Sequence, residues 1–397
     1  MPSISSIAGS PARDLAGPVE RVARIARVIE TSAAANEALG RLAPAVVDKL
    51  HEERLLRMLL AKAYGGEEID PPTWFRTMHA LARLDASTAW CVGQINGCAM
   101  TASALAPEAA RQIWGEPRAA LSWGPPKTAR ADEVDGGHRL TGEWTLSSGS
   151  RHATWLGLMA PVFDRSGANV GATGPEARIF LVPAAAADWV DSWDSVGLRA
   201  TNSGGYRFRD LFVPEGFSVS RNYLPDVRLD GRLYRFPLNS LFAIGFSGVA
   251  LGIARSMLDA VTALAREKRP WLSKQSLLES HLVQFQIGEA EARLRSAHSY
   301  VETTAEQIWQ SVVSSGELKA AQRIDIRMAA TFAIHEASAV ADVAWQIAGA
   351  NAIFASGPFE RRLRDIRTVM QQAQGRKSHL QDTGAFLLGL EPNFAYA

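Results

Sequence analysis

The 397-residue sequence predicts an α+β protein with an N-terminal helical domain, a central β domain and a C-terminal four-helix bundle. Two observations support this prediction. Apolar residues recur at helical spacing in both outer parts of the chain. The middle part instead contains short strand-like runs separated by Gly, Pro and Asp. We place the domains at residues 1–115, 116–230 and 231–397.

The N-terminal helices follow from apolar periodicity, and they end where glycine or proline interrupts it. Gly65-Gly66 and Pro71-Pro72 are two such interruptions, and Gly115 ends the last helix. The predicted helices cover residues 19–35, 43–63, 73–85, 87–105 and 107–114.

The central domain is predicted to be a small barrel or sandwich, because its apolar runs are short and closely spaced. One strand follows the turn Asp135-Gly136-Gly137, where glycine accepts the positive φ of a tight hairpin. Pro214 closes the last strand. The predicted strands cover residues 119–123, 138–146, 156–163, 177–182 and 206–213.

The C-terminal part returns to long helical patterns, interrupted at Pro270, Gly316 and Gly357-Pro358. Three glycines in the first of these helices predict close approach by a neighbouring element. We expect a solvated polar loop at residues 371–381, which carries His379. The predicted helices cover residues 241–269, 277–314, 317–348 and 358–374.

Composition excludes several classes of protein. The net charge is +1, from 42 basic and 41 acidic residues, so the sequence gives no electrostatic case for nucleic acid or an anionic membrane. Two cysteines, Cys91 and Cys98, cannot form a disulfide framework, which favours a cytoplasmic, reducing environment. Residues 1–18 lack the apolar run of a signal peptide, and residues 241–254 are too short to span a bilayer.

Common catalytic motifs are also missing from the sequence. A Gly-x-Gly-x-x-Gly turn after a strand and a Walker-type loop are both absent, which argues against nicotinamide and P-loop nucleotide sites. The eight histidines are scattered and form no metal-binding spacing. A Gly-x-Ser-x-Gly serine hydrolase motif is absent as well.

The most informative segment runs from residue 137 to residue 155, where a turn and a strand lead into a loop rich in hydroxyls and aromatics. Ser147 and Ser148 follow the end of the strand. Short hydroxyls at this position could donate hydrogen bonds to the polar edge of a planar cofactor. A hairpin with a polar loop and no function is an equally good interpretation of this segment taken alone.

The pattern Trp-x-x-Ser-Ser-Gly-x-x-His-Ala-x-Trp in this segment resembles the flavin-facing part of the acyl-CoA dehydrogenase fold. It is most similar to the branch of two-component flavin-dependent monooxygenases that hydroxylate phenols and related compounds. The resemblance covers nearly the whole chain. Further matches lie in the family's order at residues 64–66, 86–90, 113–115, 197–203, 211–214 and 362–365.

This resemblance implies a reduced flavin, FMNH2 or FADH2, between the β domain and the C-terminal helices. The residues that resemble contacts to the flavin ring are Trp90, Ser122, Trp144, Ser147 and Ser148. Structural roles as a core tryptophan and loop serines are the alternative.

Two further positions, Arg269 and Gln346, resemble those that hold the phosphate or adenine end of the flavin, often across a subunit interface. Arginine suits phosphate because its planar fork matches the phosphate oxygens. A surface salt bridge remains an alternative role for Arg269.

Dehydrogenases of this fold need a catalytic carboxylate, and the two family positions for it are Phe242 and Ala373 here. Neither side chain accepts a proton. The monooxygenase branch needs no such base. There, reduced flavin and O2 form a C4a-hydroperoxide, which the protein shields from water.

Phenol hydroxylases of this branch also use two histidines, and Cys98 and Gln372 stand at those positions. We therefore expect an aromatic or heteroatom-bearing substrate other than a simple phenol. The other candidate catalytic residues are Ser122, Ser148 and His152. For His152 a structural hydrogen bond is an equally good interpretation.

The resemblance thus implies an oxygenase component that works with O2, an aromatic small molecule and a separate NAD(P)H:flavin reductase. Apolar faces at residues 277–314 and 317–348 predict a homotetramer. Two alternatives remain open. One is an acyl-CoA dehydrogenase-like oxidoreductase with a relocated base, and the other is a non-catalytic flavin-fold binding protein.

Overall fold

The computed structural model describes residues 16–169 and 177–391, and the prediction for the N-terminal leader falls largely on residues 1–15, outside this range. The order of helices, strands and helices agrees with the sequence prediction. The helices of both outer parts share one apolar core, and the strands enclose a second core.

From residue 16 onwards, the N-terminal part contains five α-helices: α1 (Pro18–Leu39), α2 (Pro44–Glu52), α3 (Pro71–Leu84), α4 (Ala86–Ala99) and α5 (Pro107–Trp114). Proline at the first turn starts four of them, where its missing N–H costs no hydrogen bond. Asp70 and Asp85 cap α3 and α4, because each carboxylate accepts a backbone N–H three residues later.

The predicted helix at residues 43–63 is wrong beyond residue 52. Arg54 has φ of 56°, a left-handed conformation that ends the helix. The following residues stay buried without helical hydrogen bonds, so their backbone needs other partners. Asn96 of α4 supplies two: its Oδ1 accepts from Leu59 N at 3.1 Å, and its Nδ2 donates to Leu55 O at 2.8 Å.

The described part of the β domain contains eight strands: β1 (Leu121–Gly124), β2 (Pro126–Val134), β3 (Gly137–Trp144), β4 (Trp155–Phe163), β5 (Ala177–Pro183), β6 (Asp188–Val190), β7 (Gly205–Pro214) and β8 (Ser218–Ser220). The sequence did not predict β2, β6 or β8. β2 is largely polar with a single buried residue, and the other two have only three residues each, so none carries a clear apolar alternation.

The strands pair in the order β6-β7-β3-β2-β4-β5-β8, and β1 adds to β4 in parallel. The β2–β4 pairing is confined to two residue pairs, which lets the two halves of the sheet fold over one core. Polar atoms of the buried aromatics join the halves. Tyr206 Oη donates to Gly157 O at 2.7 Å, and Trp144 Nε1 donates to Met159 O at 2.8 Å.

The C-terminal part contains α6 (Leu238–Glu267), α7 (His281–Ser315), α8 (Ala320–Ala348), α9 (Glu360–Val369) and α10 (Ser378–Leu387). The four predicted helices are present, with α9 much shorter than the others. The solvated loop expected at residues 371–381 is wrong, because α10 begins inside it. His379 is buried in α10, and its Nε2 lies 2.7 Å from Ala373 O.

Helix α6 lies at the centre of the helical core, against α3 and α8. A Cβ at Gly245 would lie 2.6 Å from Trp74 Nε1, so the glycine permits the close contact that the sequence predicted. Among the described residues, α6 is the one helix long and apolar enough to cross a membrane. Because 89% of its most apolar 18-residue stretch is buried inside the structure, α6 is typical of a core helix.

Candidate active site

A buried hydrogen-bond network joins α4 to the loop that follows β3. Trp90 Nε1 donates to Ser148 Oγ at 2.9 Å, and Ser148 Oγ lies 2.6 Å from Ser203 Oγ. Ser203 Oγ in turn lies 2.6 Å from Thr201 Oγ1. The structure therefore brings together Trp90 and Ser148, which the sequence proposed as neighbours of one cofactor.

Ser122 and Ser147 each add a hydrogen bond that holds the loop after β3. Ser122 Oγ donates to the Ser148 carbonyl at 2.7 Å, and Ser147 Oγ donates to Gly204 O at 2.9 Å. Both side chains are fully buried, and Ser148 is 7% exposed. Each hydroxyl already has protein partners, so these serines hold the loop in shape. Left-handed φ values at Leu146 (52°) and Gly149 (73°) give the loop its sharp path.

Helix α9 holds the other end of the network. Asp365 Oδ1 accepts from Leu198 N at 2.6 Å, and Thr201 Oγ1 donates to Leu198 O at 2.8 Å. Burial, with a smaller contribution from Asp85, raises the pKa of the Asp365 carboxyl to about 7. Residues 167 positions apart in the chain thereby fix the turn that carries Ser203.

Three aromatic rings stack beside the network. Trp90 and Phe246 lie 4.0 Å apart at 13°, and Phe246 and Phe242 lie 5.4 Å apart at 1°. A Cβ at Gly97 would collide with the Phe242 ring, so glycine lets this ring lie against α4. The half-buried Phe242 occupies the position where the resemblance would place a dehydrogenase base.

Cys98, at a family histidine position, is fully buried on α4. Burial raises the pKa of its thiol well above the usual value, so the thiol stays protonated and is no general base at neutral pH. Its neighbour is Gln94, whose Nε2 donates to Cys98 Sγ at 3.3 Å and to Trp123 O at 3.0 Å. Gln94 was not among the residues that the sequence proposed for the site, although it and Asn96 are the two amides of a helix without charged side chains.

Gln372 lies at the start of the turn that follows α9. This turn packs against α6 and α8. Its Oε1 accepts from Gln374 N at 2.8 Å. Its Nε2 is buried and has no hydrogen-bond partner within the part of the chain that the structure describes. A buried amide donor without a partner costs free energy unless a ligand accepts from it.

Two candidate residues have structural surroundings. His152 Nε2 accepts from Leu42 N at 3.2 Å, and burial lowers the pKa of this imidazole to about 4, so it stays neutral. Trp144 is fully buried in the core of the β domain, where it stacks against Tyr206. Among the described residues the Trp144 ring has no exposed face, so it is not available to contact a flavin.

Arg269 and Gln346 lie at one end of the C-terminal part, and both are exposed. Lys268 Nζ donates to Ala348 O at 2.8 Å, which brings the segments of the two residues together. Exposed apolar side chains follow Arg269: Trp271 is 91% exposed and Leu272 is 83% exposed. An apolar surface of this kind is typical of an interface.

The fold and this site define a class of protein. The chain matches two family models, the N-terminal domain of acyl-CoA dehydrogenase over residues 19–120 and its C-terminal domain over residues 244–375. Together these models cover more than half of the chain, which belongs to the acyl-CoA dehydrogenase family.

Two similar proteins are named as monooxygenases, and a similar solved structure contains FADH2. The indole-3-acetate monooxygenase of Pseudomonas putida is 29% identical over 87% of both proteins. The oxygenase subunit HsaA of a flavin-dependent monooxygenase from Rhodococcus jostii is 24% identical over 87% of this chain and 91% of its own length. XiaF from a Streptomyces species, solved with FADH2 and glycerol, is 27% identical, with a TM-score of 0.88 over 94% of this chain and 96% of its own.

The chain is thus a flavin-dependent monooxygenase with the acyl-CoA dehydrogenase fold, which confirms the predicted family, fold class and enzyme class. In the described ranges, no three potential metal ligands cluster.

Proposed function

We propose that this protein is the oxygenase component of a two-component system and transfers one oxygen atom from O2 to a planar, neutral aromatic molecule. A separate NAD(P)H:flavin reductase delivers the reduced flavin. The observation that carries this proposal is Phe242, an aromatic ring stacked at the dehydrogenase base position. The names of the relatives, which include an indole-3-acetate monooxygenase and an oxygenase subunit, support the same conclusion.

The residues present fit a reduced flavin. A flat, largely apolar ring matches the stacked wall of Trp90, Phe246 and Phe242, and the unpartnered Gln372 amide offers a donor to a polar acceptor. When bound, reduced flavin supplies the electrons that activate O2. Ser122, Ser147 and Ser148 shape a loop that would line the flavin site.

The protein's own contribution is positioning and exclusion of water. The aromatic wall presents no titratable group to the substrate, and the Cys98 thiol remains protonated. Among these described residues, no side chain can therefore act as the base that abstracts a proton from the substrate. We infer that the substrate reacts without prior ionisation, as an electron-rich ring or a heteroatom can.

A homotetramer in the cytoplasm completes the proposal. The exposed residues around Arg269 would be covered by a second copy, and Arg269 and Gln346 would then hold the phosphate or adenine end of that copy's flavin. Both cysteines are buried and unpaired, which suits a reducing compartment.

The test combines flavin binding with turnover. We expect tighter binding of reduced than of oxidised flavin under anaerobic conditions. With reductase, NADH and O2, an aromatic panel should give oxygenated product, measured directly because released peroxide also consumes NADH. Tighter binding of the oxidised flavin, bleached by an acyl-CoA, would instead support the dehydrogenase alternative. No affinity for flavin would support a non-catalytic binding protein.

A further inference from the structure

In helix α4, Gln94 is the one residue that is not buried. The other thirteen residues of the helix are buried. Trp90 and Cys98 lie one turn before and one turn after it, on the same face of the helix. Gln94 therefore stands between the tryptophan of the aromatic wall and the thiol at the family histidine position.

The orientation of the Gln94 amide is fixed by its two neighbours. Nε2 donates to the Trp123 carbonyl at 3.0 Å and to Cys98 Sγ at 3.3 Å. A flipped amide would place Oε1 against the Trp123 carbonyl oxygen, and two acceptors repel each other. The amide nitrogen is thus committed to the protein.

The amide oxygen is left for a ligand. Within residues 16–169 and 177–391, no protein donor reaches Gln94 Oε1. Helix α4 carries no charged side chain, so its face offers neither a counter-ion nor a base to a bound molecule. What it offers is a single neutral hydrogen-bond acceptor beside stacked aromatic rings.

We propose that Gln94 determines substrate specificity by accepting a hydrogen bond from a ring N–H or O–H of the bound aromatic substrate. This inference rests on the proposed monooxygenase function and narrows its substrate to neutral aromatics that carry such a donor. Gln94 recognises the donor group of the substrate without removing its proton, since an amide oxygen is a poor base. Cys98 acts as a positioning residue, because its sulfur helps to hold Nε2 away from the substrate.

The consequence is discrimination between molecules of equal shape. A ring with oxygen in place of N–H fits the same aromatic wall but leaves Oε1 without its donor. One neutral hydrogen bond changes affinity by roughly 3- to 10-fold.

The experiment uses indole and benzofuran, two bicyclic probes that differ in the N–H. Dissociation constants are measured anaerobically for the full-length protein loaded with reduced flavin, and oxygenated products are quantified after O2 is admitted. We expect the wild type to favour indole by roughly 3- to 10-fold in affinity. Gln94→Leu should bring this ratio close to one, while Gln284→Leu, an exposed change on α7, should preserve it.

A second substitution guards against misfolding. Gln94→Met keeps the length of the side chain without the amide, and circular dichroism checks that each variant folds. Equal affinity of the wild type for both probes, no measurable binding of indole, or an indole preference retained in both Gln94 variants would overturn the assignment. Selective binding of indole without any oxygenated product would leave the assignment standing and count against the proposed monooxygenase function.

Discussion

The indole nitrogen of Trp90 donates a hydrogen bond to Ser148 Oγ at 2.9 Å, and this contact links the N-terminal helices to the β domain. Both groups are buried, and the serine hydroxyl also meets Ser203. Through Thr201 and Leu198 the same network reaches Asp365 of α9. Three separate parts of the chain thus position one loop of the site.

Ser148→Ala should destabilise the protein and weaken flavin binding, because Trp90 Nε1 would lose its acceptor in a buried place. A buried donor left without a partner costs about 1–3 kcal/mol. Chemical denaturation and titration with reduced flavin measure the two effects. Ser314→Ala, on an exposed part of α7, is the control. Unchanged stability and affinity in Ser148→Ala would show that the network does not hold the site.

Gly97→Ala should displace the Phe242 ring and reduce binding of the aromatic substrate. Overpacking of a core typically costs about 1–3 kcal/mol, which outweighs the gain of up to about 1 kcal/mol from alanine's helix propensity. Gly288→Ala on α7 is the matched control, because a Cβ there meets nothing within 4 Å and should stabilise the helix. Thermal unfolding of both variants shows whether each substitution raises or lowers the stability of the protein. A stabilised Gly97→Ala would contradict the packing described for Phe242.

The wild-type protein should lose stability as pH rises, and Asp365→Asn should not show this loss. The folded-state pKa of about 7 lies above the ordinary value of 3.8, so the folded protein binds the proton more tightly than the unfolded chain. The stability that protonated Asp365 gives the wild-type protein is therefore fully present below pH 4. It declines as pH rises from 4 to 7, by up to about 4 kcal/mol in the free energy of unfolding.

Asparagine retains an Oδ1 that can accept from Leu198 N. The difference in unfolding free energy between the variant and the wild type should therefore shift in favour of the variant from pH 4 to pH 7.5. Asp194→Asn, an exposed carboxylate in the β domain, is the control and should show no such trend. A pH-independent difference for Asp365→Asn would disprove the raised pKa.

His152→Gln should have the opposite pH dependence. The folded pKa of about 4 lies below the ordinary 6.5, so the unfolded chain binds the proton more tightly. This contribution to stability is present above pH 6.5 and is lost as pH falls towards 4. Glutamine keeps an acceptor for Leu42 N but does not titrate, so the variant should lose less stability on acidification.

The measurement for His152 is urea unfolding at pH 4.5 and 7.5, with the exposed His281→Gln as control. His51 and His79 also have lowered pKa values and add to the overall slope, so only the difference between wild type and variant is informative. A slope identical to that of the wild type would show that His152 titrates normally.

Phe285→Glu should break the proposed tetramer. Leu282 and Phe285 on α7 are 66% and 65% exposed, and a charge placed at such a patch disfavours its burial against a second copy. Light scattering should report a tetramer for the wild type and a smaller species for the variant. Val196→Glu, at an exposed apolar residue of the β domain, should keep the wild-type mass. A monomeric wild type at micromolar concentration would refute the assembly.

Local pattern determined much of this protein. The order of helical and β parts was readable because apolar spacing reflects the period of each element, and proline and glycine mark where elements end. The motif at residues 137–155 placed Ser147 and Ser148 at the end of a strand, where the structure has them. Family resemblance added the flavin chemistry, which no single motif of the chain specifies.

Only the tertiary structure decided which side chains meet. Arg54 ends α2 although the apolar pattern continues, because Asn96 satisfies the backbone of a buried irregular segment. His379 lies in a polar stretch of sequence but is buried on α10. The contact between Asp365 and Leu198 and the free oxygen of Gln94 depend on packing between distant elements. Local periodicity carries no information about such contacts, because it records which face of an element is buried and not what covers that face.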